Sequence, residues 1–153
     1  MGVERKTDEK LVDVAGSPAG APSGYAQLLA SAKQAAERSY SPYSRFAVGA
    51  AVLTEEGKVF TGCNVENVSL GGTICAERTA LVKAVSEGHK KFKAIAVYCK
   101  KAPGGWPCGI CRQFITEFGP DTEVVVEHAD GKIESIKIKD LEPHGFGPEA
   151  LQT

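Results

Sequence analysis

Apolar residues recur at helical spacing from Leu28 and Leu29 through Ala32, Ala35 and Ala36, and the helix this predicts runs to Ser39, where Pro42 stops it. The pattern then changes. Phe46 to Leu53 and Lys58 to Val65 read as two strands, and the Glu55-Glu-Gly-Lys58 step between them suits an antiparallel hairpin. Helical spacing returns with Ala76, Ala80, Leu81 and Ala84, predicting a helix over Cys75 to Glu87 with Gly88 at its exit. Phe92 to Cys99, centred on Ala94-Ile-Ala-Val97, predicts a buried strand, and Cys108 to Phe118 another helix, ended by Gly119-Pro120. Glu123 to Val126 is a further short strand, and Ile133 to Ile138 alternates apolar with polar like an edge strand.

A strand–helix–strand–helix–strand run argues for parallel strands joined by crossover helices behind the hairpin. The expected fold class is α/β, a mixed sheet with an antiparallel hairpin and parallel strands and with helices on both faces. At 153 residues the chain is long enough for one core but not two. Residues 1–23 end in the small-residue stretch Ala15-Gly-Ser-Pro-Ala-Gly-Ala-Pro-Ser23 and read as a flexible tail, leaving residues 24–153 as a single domain. No internal repeat is visible.

Composition narrows the function mainly by exclusion. A formal net charge of −1 provides no basic stripe for a long nucleic acid, which favours a small free substrate over a polymer. No apolar run approaches the ~18 residues of a membrane span. Met1 to Lys10 carries both signs of charge and is followed by no secretory h-region, so the five cysteines are expected reduced, in a cytoplasmic chain.

Three of those cysteines carry the chemistry. Cys75-Ala-Glu77 and Pro107-Cys-Gly-Ile-Cys111 bring three thiols and one carboxylate to two predicted helix starts. Catalytic zinc typically takes three protein ligands and leaves the fourth position open, whereas a closed structural site needs a fourth Cys or His. His89, His128 and His144 fall in no finger-like spacing with these cysteines. The ligand set expected is therefore Cys75, Cys108 and Cys111, with one Zn²⁺ per chain and Glu77 near enough to handle a water proton. Three thiolates around Zn²⁺ leave a net −1, which two helix N-termini and the adjacent cation Arg78 offset.

The surrounding motifs add a family likeness. Ser41-Pro-Tyr-Ser-Arg-Phe-Ala-Val-Gly-Ala50, Gly62-Cys-Asn-Val-Glu-Asn67, Thr73-Ile-Cys-Ala-Glu-Arg-Thr-Ala80, Pro107-Cys-Gly-Ile-Cys-Arg-Gln113 and Leu141-Glu-Pro-His-Gly-Phe-Gly-Pro148 together resemble the small zinc-dependent cytidine deaminases, from about Gly24 to Leu151. The resemblance implies hydrolytic deamination of cytidine and 2′-deoxycytidine in pyrimidine salvage, with Glu77 shuttling protons. It also implies that Asn64 and Glu66, expected on one face of the second strand, hydrogen-bond the ribose 3′-hydroxyl. Phe46 would pack against the base, to which Ala76 would offer a backbone group, and Arg78 would temper thiolate charge. Phe146 would reach in from a neighbouring subunit of a homotetramer. Cys63 and Cys99 match no such role and are expected in the core.

Some positions depart from the family pattern. Val68, Leu70 and Gly72 replace its usual Ala, Tyr and Leu, and Trp106, expected as a lid or an interface plug, replaces a Ser. These changes keep two other readings open: deamination of a modified cytidine or a blasticidin S-like antibiotic, and a non-catalytic zinc-binding module.

Overall fold

In the computed structural model, which describes residues 23–151, the first apolar repeat forms helix α1, Ser23–Ala36. The expected tail lies outside the described residues except for Ser23. The helix stops short of Ser39 because its end tightens: the backbone N–H groups of Glu37, Arg38 and Ser39 each bond the carbonyl three residues back. Strands β1 (Val48–Thr54) and β2 (Val59–Cys63) make the hairpin, pairing Gly49 with Cys63 and Leu53 with Val59. There follow α2 (Ala76–Ser86), β3 (Phe92–Cys99), α3 (Gly109–Thr116), β4 (Glu123–Glu127) and β5 (Ile133–Lys137). Short turns of 3₁₀ helix at Leu70–Gly72 and Pro148–Leu151 and a four-residue helix α4, Ile138–Leu141, are too brief to leave a periodic signal.

The five strands lie in the order β2-β1-β3-β4-β5, with β3 and β4 parallel and the other neighbours antiparallel. Alternation along the strands sends side chains to two cores. Ala50, Val52, Ile95 and Val124 meet Ala80, Leu81 and Ala84 of α2 and Ile115 of α3 on one face. Ala51, Leu53, Ala94, Ala96 and Val125 meet Leu28, Leu29 and Ala32 of α1 on the other. The continuous apolar run of β3 follows from this, because a strand covered on both faces has no polar side to show. The architecture is the expected α/β mixed sheet with helices on both faces, and β5 is an edge strand as its alternation predicts.

Two glycines let the helices sit close enough to build this packing. A Cβ at Gly49 would lie 2.5 Å from the Ala36 nitrogen, and one at Gly62 would lie 2.7 Å from the Ala76 oxygen and 2.9 Å from the Thr79 carbonyl carbon. Those neighbours are backbone and cannot swing away. Gly62→Ala is expected to push the first turn of α2 off β2 and to cost about 1–3 kcal/mol, as overpacking does. Gly71→Ala, where an added Cβ meets nothing within 4 Å, should stay within about 0.5 kcal/mol. Urea unfolding of both variants checks this, and equal stabilities would refute the close-approach role.

The topology also decides where chemistry gathers. β2 and β3 both run antiparallel to β1 and therefore point the same way. Their carboxyl ends lie on one edge of the sheet, so the segments leading into α2 and α3 emerge together. In open α/β sheets such an edge is where ligands bind.

Candidate active site

Cys75 and Cys108 are each the residue immediately before a helix, in extended conformation, and Cys111 lies in the first turn of α3. The predicted helices thus begin one residue later than expected, with the two cysteines at the N-caps. The Sγ atoms of Cys75, Cys108 and Cys111 all lie within 4.8 Å of one another, and those of Cys75 and Cys108 are 4.0 Å apart. Thiolates bound to one tetrahedral zinc at about 2.3 Å would stand about 3.8 Å from each other. The trio fits that requirement, and it is the only such cluster of metal-ligating side chains among the described residues. Cys111 is buried, Cys75 half-buried and Cys108 exposed, so the cluster has an open side.

The charges around the sulfurs suit a cation. Cys75 is pushed down to about 5, first by a hydrogen bond from the Cys111 thiol and then by Arg78. Cys111, donating that bond, is pushed up, and burial raises it further. Arg78 places its Nη2 3.5 Å from the Cys75 sulfur and 3.2 Å from the Thr73 carbonyl oxygen, and its own pKa rises chiefly through the Cys75 contact. Metal binding draws the protons from all such thiols, because thiolate is the ligand. Glu77 sits in the first turn of α2, only 5% exposed. Burial lifts its pKa, and the Cys75 charge lifts it further, while its own backbone N–H and the Cys111 thiol pull the other way. A carboxyl whose pKa is raised toward neutrality beside a metal site can both accept a proton and return it.

The residues expected to meet a sugar lie elsewhere than predicted. β2 ends at Cys63, so Asn64 and Glu66 are in the loop beyond it, on either side of Val65, which bridges to Tyr40 and Ile74. The hairpin strand stops there because residue 40 and residue 74 take over its backbone partners. Asn64 is buried: its Nδ2 donates to the Phe46 oxygen at 2.8 Å, and its Oδ1 accepts from Val48 N–H at 2.9 Å and from the Ser39 hydroxyl at 2.5 Å. Glu66 accepts from the backbone N–H groups of Tyr43 (2.9 Å) and Ser44 (3.2 Å) and from the Ser44 hydroxyl. Both side chains therefore clamp the segment Tyr40–Val48 that carries half-buried Phe46.

The comparisons with known proteins place these motifs. The family model for the cytidine and deoxycytidylate deaminase zinc-binding region matches residues 23–128, well over half of the chain. The chain belongs to this family. It is similar to the cytidine deaminase of Halalkalibacterium halodurans, 48% identical over 81% of this chain and 95% of that one. It is 45% identical to the cytidine deaminase of Sporosarcina psychrophila, over 82% of this chain and 93% of that one. The crystal structure of cytidine deaminase from Burkholderia pseudomallei superposes with a TM-score of 0.74 at 47% identity, covering 80% of this chain and 98% of that one. The cluster of Cys75, Cys108 and Cys111 suits the zinc of this family, and the chain is a zinc-dependent deaminase.

Several residues expected in the site are placed by contacts that the sequence could not supply. Ala76, the first residue of α2, is fully buried beneath Gly62. Phe146 is 58% exposed, and its carbonyl oxygen accepts from Gln113 Nε2 of α3 at 2.6 Å. Trp106 is no lid within this chain, because it is half-buried and packs inward against the core between the sheet and α2–α3. Cys63 and Cys99 are half-buried rather than core. The Cys63 thiol donates to the Arg38 oxygen at 3.3 Å, at the edge strand. Cys99 ends β3 on the same face as Ile95, and its thiol is pushed up to about 11 by burial and then by the Glu77 charge. The sequence did not single out Ser39 or Ser44; for Ser44 the Ser41-Pro-Tyr-Ser44 turn was a signal, and Ser39 had none.

Proposed function

We propose that the chain catalyses cytidine + H₂O → uridine + NH₃ and the same reaction on 2′-deoxycytidine, in pyrimidine salvage. The observation that carries this reading is the cluster of three cysteine sulfurs with buried Glu77 beside it at the mouth of two helices. Cys75, Cys108 and Cys111 would hold one Zn²⁺. When bound, zinc supplies the Lewis acidity that makes water a nucleophile near neutral pH. Glu77 takes the water proton, delivers it to ring N3 and assists the amino group out as ammonia. Arg78 offsets the excess thiolate charge, Ala76 offers a backbone group to the base, and Phe46 packs on it. A non-catalytic zinc module has no use for a buried carboxyl whose desolvation must be offset.

The hydrogen-bond inventory supports Asn64 and Glu66 as the sugar readers. Both acceptor sites of Asn64 Oδ1 are filled and one Nδ2 proton is spent, which leaves a single donor. Three of about four lone-pair sites on the Glu66 carboxylate are filled, which leaves a single acceptor. One remaining donor and one remaining acceptor are what a hydroxyl needs to accept from Asn64 and donate to Glu66. Residues 24–153 are assigned as the single deaminase domain.

No helix among the described residues is long and apolar enough to cross a membrane. A cytoplasmic setting suits five free thiols, three of them a ligand set. Val68, Leu70, Ile110 and Phe146 are all more than half exposed, which supports a homotetramer in which Phe146 completes a neighbour's site.

The test is metal analysis with ammonia release from cytidine, 2′-deoxycytidine, cytosine and blasticidin S. Wild type should hold one zinc per chain, use both nucleosides and barely use cytosine, since remote sugar contacts position the reacting carbon. Glu66→Gln should keep the zinc and lose about 10- to 100-fold in kcat/KM for cytidine, the worth of a charge-assisted hydrogen bond. Equal efficiency on cytosine and cytidine would overturn the sugar assignment, and preference for blasticidin S would overturn the substrate.

A further inference from the structure

The segment that carries Phe46 has an unusual build. Arg45 is the sole residue other than glycine with a positive φ among the described residues, at 54°, a conformation that side chains disfavour and that local structure must impose. Ser44 imposes it. Its hydroxyl oxygen accepts the Phe46 N–H at 3.0 Å, spanning Arg45, and its hydroxyl proton goes to Glu66 Oε1. Its backbone N–H reaches Glu66 Oε2 at 3.2 Å. One exposed serine thus fixes the carboxylate on one side and the backbone of the aromatic residue on the other. Glu66 sits below the usual carboxylate range, and the Ser44 hydroxyl is the largest cause.

We infer that Ser44 is a positioning residue for nucleoside recognition, aiming the one free lone pair of Glu66 and the ring of Phe46 through a single hydroxyl. The inference rests on the reading of Glu66 and Asn64 as sugar readers. Without the Ser44 hydroxyl, Glu66 keeps its charge and its two backbone donors, but Oε1 is free to rotate away or to take water. Phe46 loses its N–H partner in the same change. The cost falls on binding of the nucleoside rather than on the proton transfers at Glu77.

The test measures kcat and KM for cytidine and 3′-deoxycytidine with wild type, Ser44→Ala, Ser44→Thr and Glu66→Gln. Ser44→Ala is expected to raise KM for cytidine ~10-fold, as loss of one charge-assisted hydrogen bond does, with kcat and zinc content near wild type. The rise should be smaller on 3′-deoxycytidine, which has no hydroxyl for Glu66 to read, and Ser44→Thr should restore most of it. Ser44→Cys, which keeps the size but donates poorly to a carboxylate, should track the alanine variant and serves in its place if alanine perturbs folding. Unchanged KM, an equal rise on both substrates, or no recovery with threonine overturns the role of Ser44 when Glu66→Gln does weaken cytidine use. If Glu66→Gln leaves both substrates untouched, the sugar reading itself fails and takes Ser44 with it.

Discussion

Glu77→Gln is expected to abolish most turnover while leaving one zinc per chain and an unchanged melting temperature. The substitution is isosteric and removes no ligand, so the three sulfurs keep their arrangement. It does remove the only buried carboxyl among the described residues, and an amide cannot exchange a proton. General acid–base help typically contributes ~10²–10⁴-fold, and a residue that serves three transfers in one cycle should stand at or above the upper end. The side chain is nearly buried, and the amide fills the same space, so packing around it is kept. Zinc analysis, a thermal melt and kcat for cytidine decide the matter together. Near-normal kcat in a folded, zinc-loaded variant would remove Glu77 from the chemistry.

The second large effect separates ligands from neighbouring thiols. Cys108→Ala should lose the zinc and, with it, stability, because two thiolates make an incomplete site and the helix starts built around the ion loosen. Cys108 is exposed in this chain, so little packing is lost and the damage reports the metal. Cys99→Ala removes a half-buried thiol outside the 4.8 Å cluster and should keep one zinc per chain, at a cost of about 1 kcal/mol or less. A chelator should lower the wild-type and Cys99→Ala melting temperatures and leave that of Cys108→Ala where it is. Zinc lost from Cys99→Ala but retained by Cys108→Ala would show that the wrong thiols were assigned.

Much of this protein is written in local pattern. The spacing of Leu28, Leu29 and Ala32, the continuous apolar run of β3 and the alternation of β5 each specify an element, since burial on one face or two leaves a periodic trace. The grouping of Cys75, Cys108 and Cys111 was legible for a different reason. Cys75 and Glu77 lie in one short motif and Cys108 and Cys111 in another, each at a helix start, and the three-residue spacing of Cys108 and Cys111 already puts two thiols within reach of one ion. Contacts between segments far apart in the chain leave no such trace. That β2 and β3 point the same way, and so deliver both motifs to one sheet edge, is decided by strand pairing. The end of β2 at Cys63 is set by Tyr40, which takes the Asn64 carbonyl and the Glu66 N–H, and by Ile74, which takes both backbone groups of Val65. The placement of Cys99 beside Glu77 and the inward turn of Trp106 follow from how α2 and α3 settle on the sheet. The clamp of Asn64, Glu66 and Ser44 on Phe46 depends on hydrogen bonds across about twenty residues of chain, and only tertiary structure closes a loop of that kind.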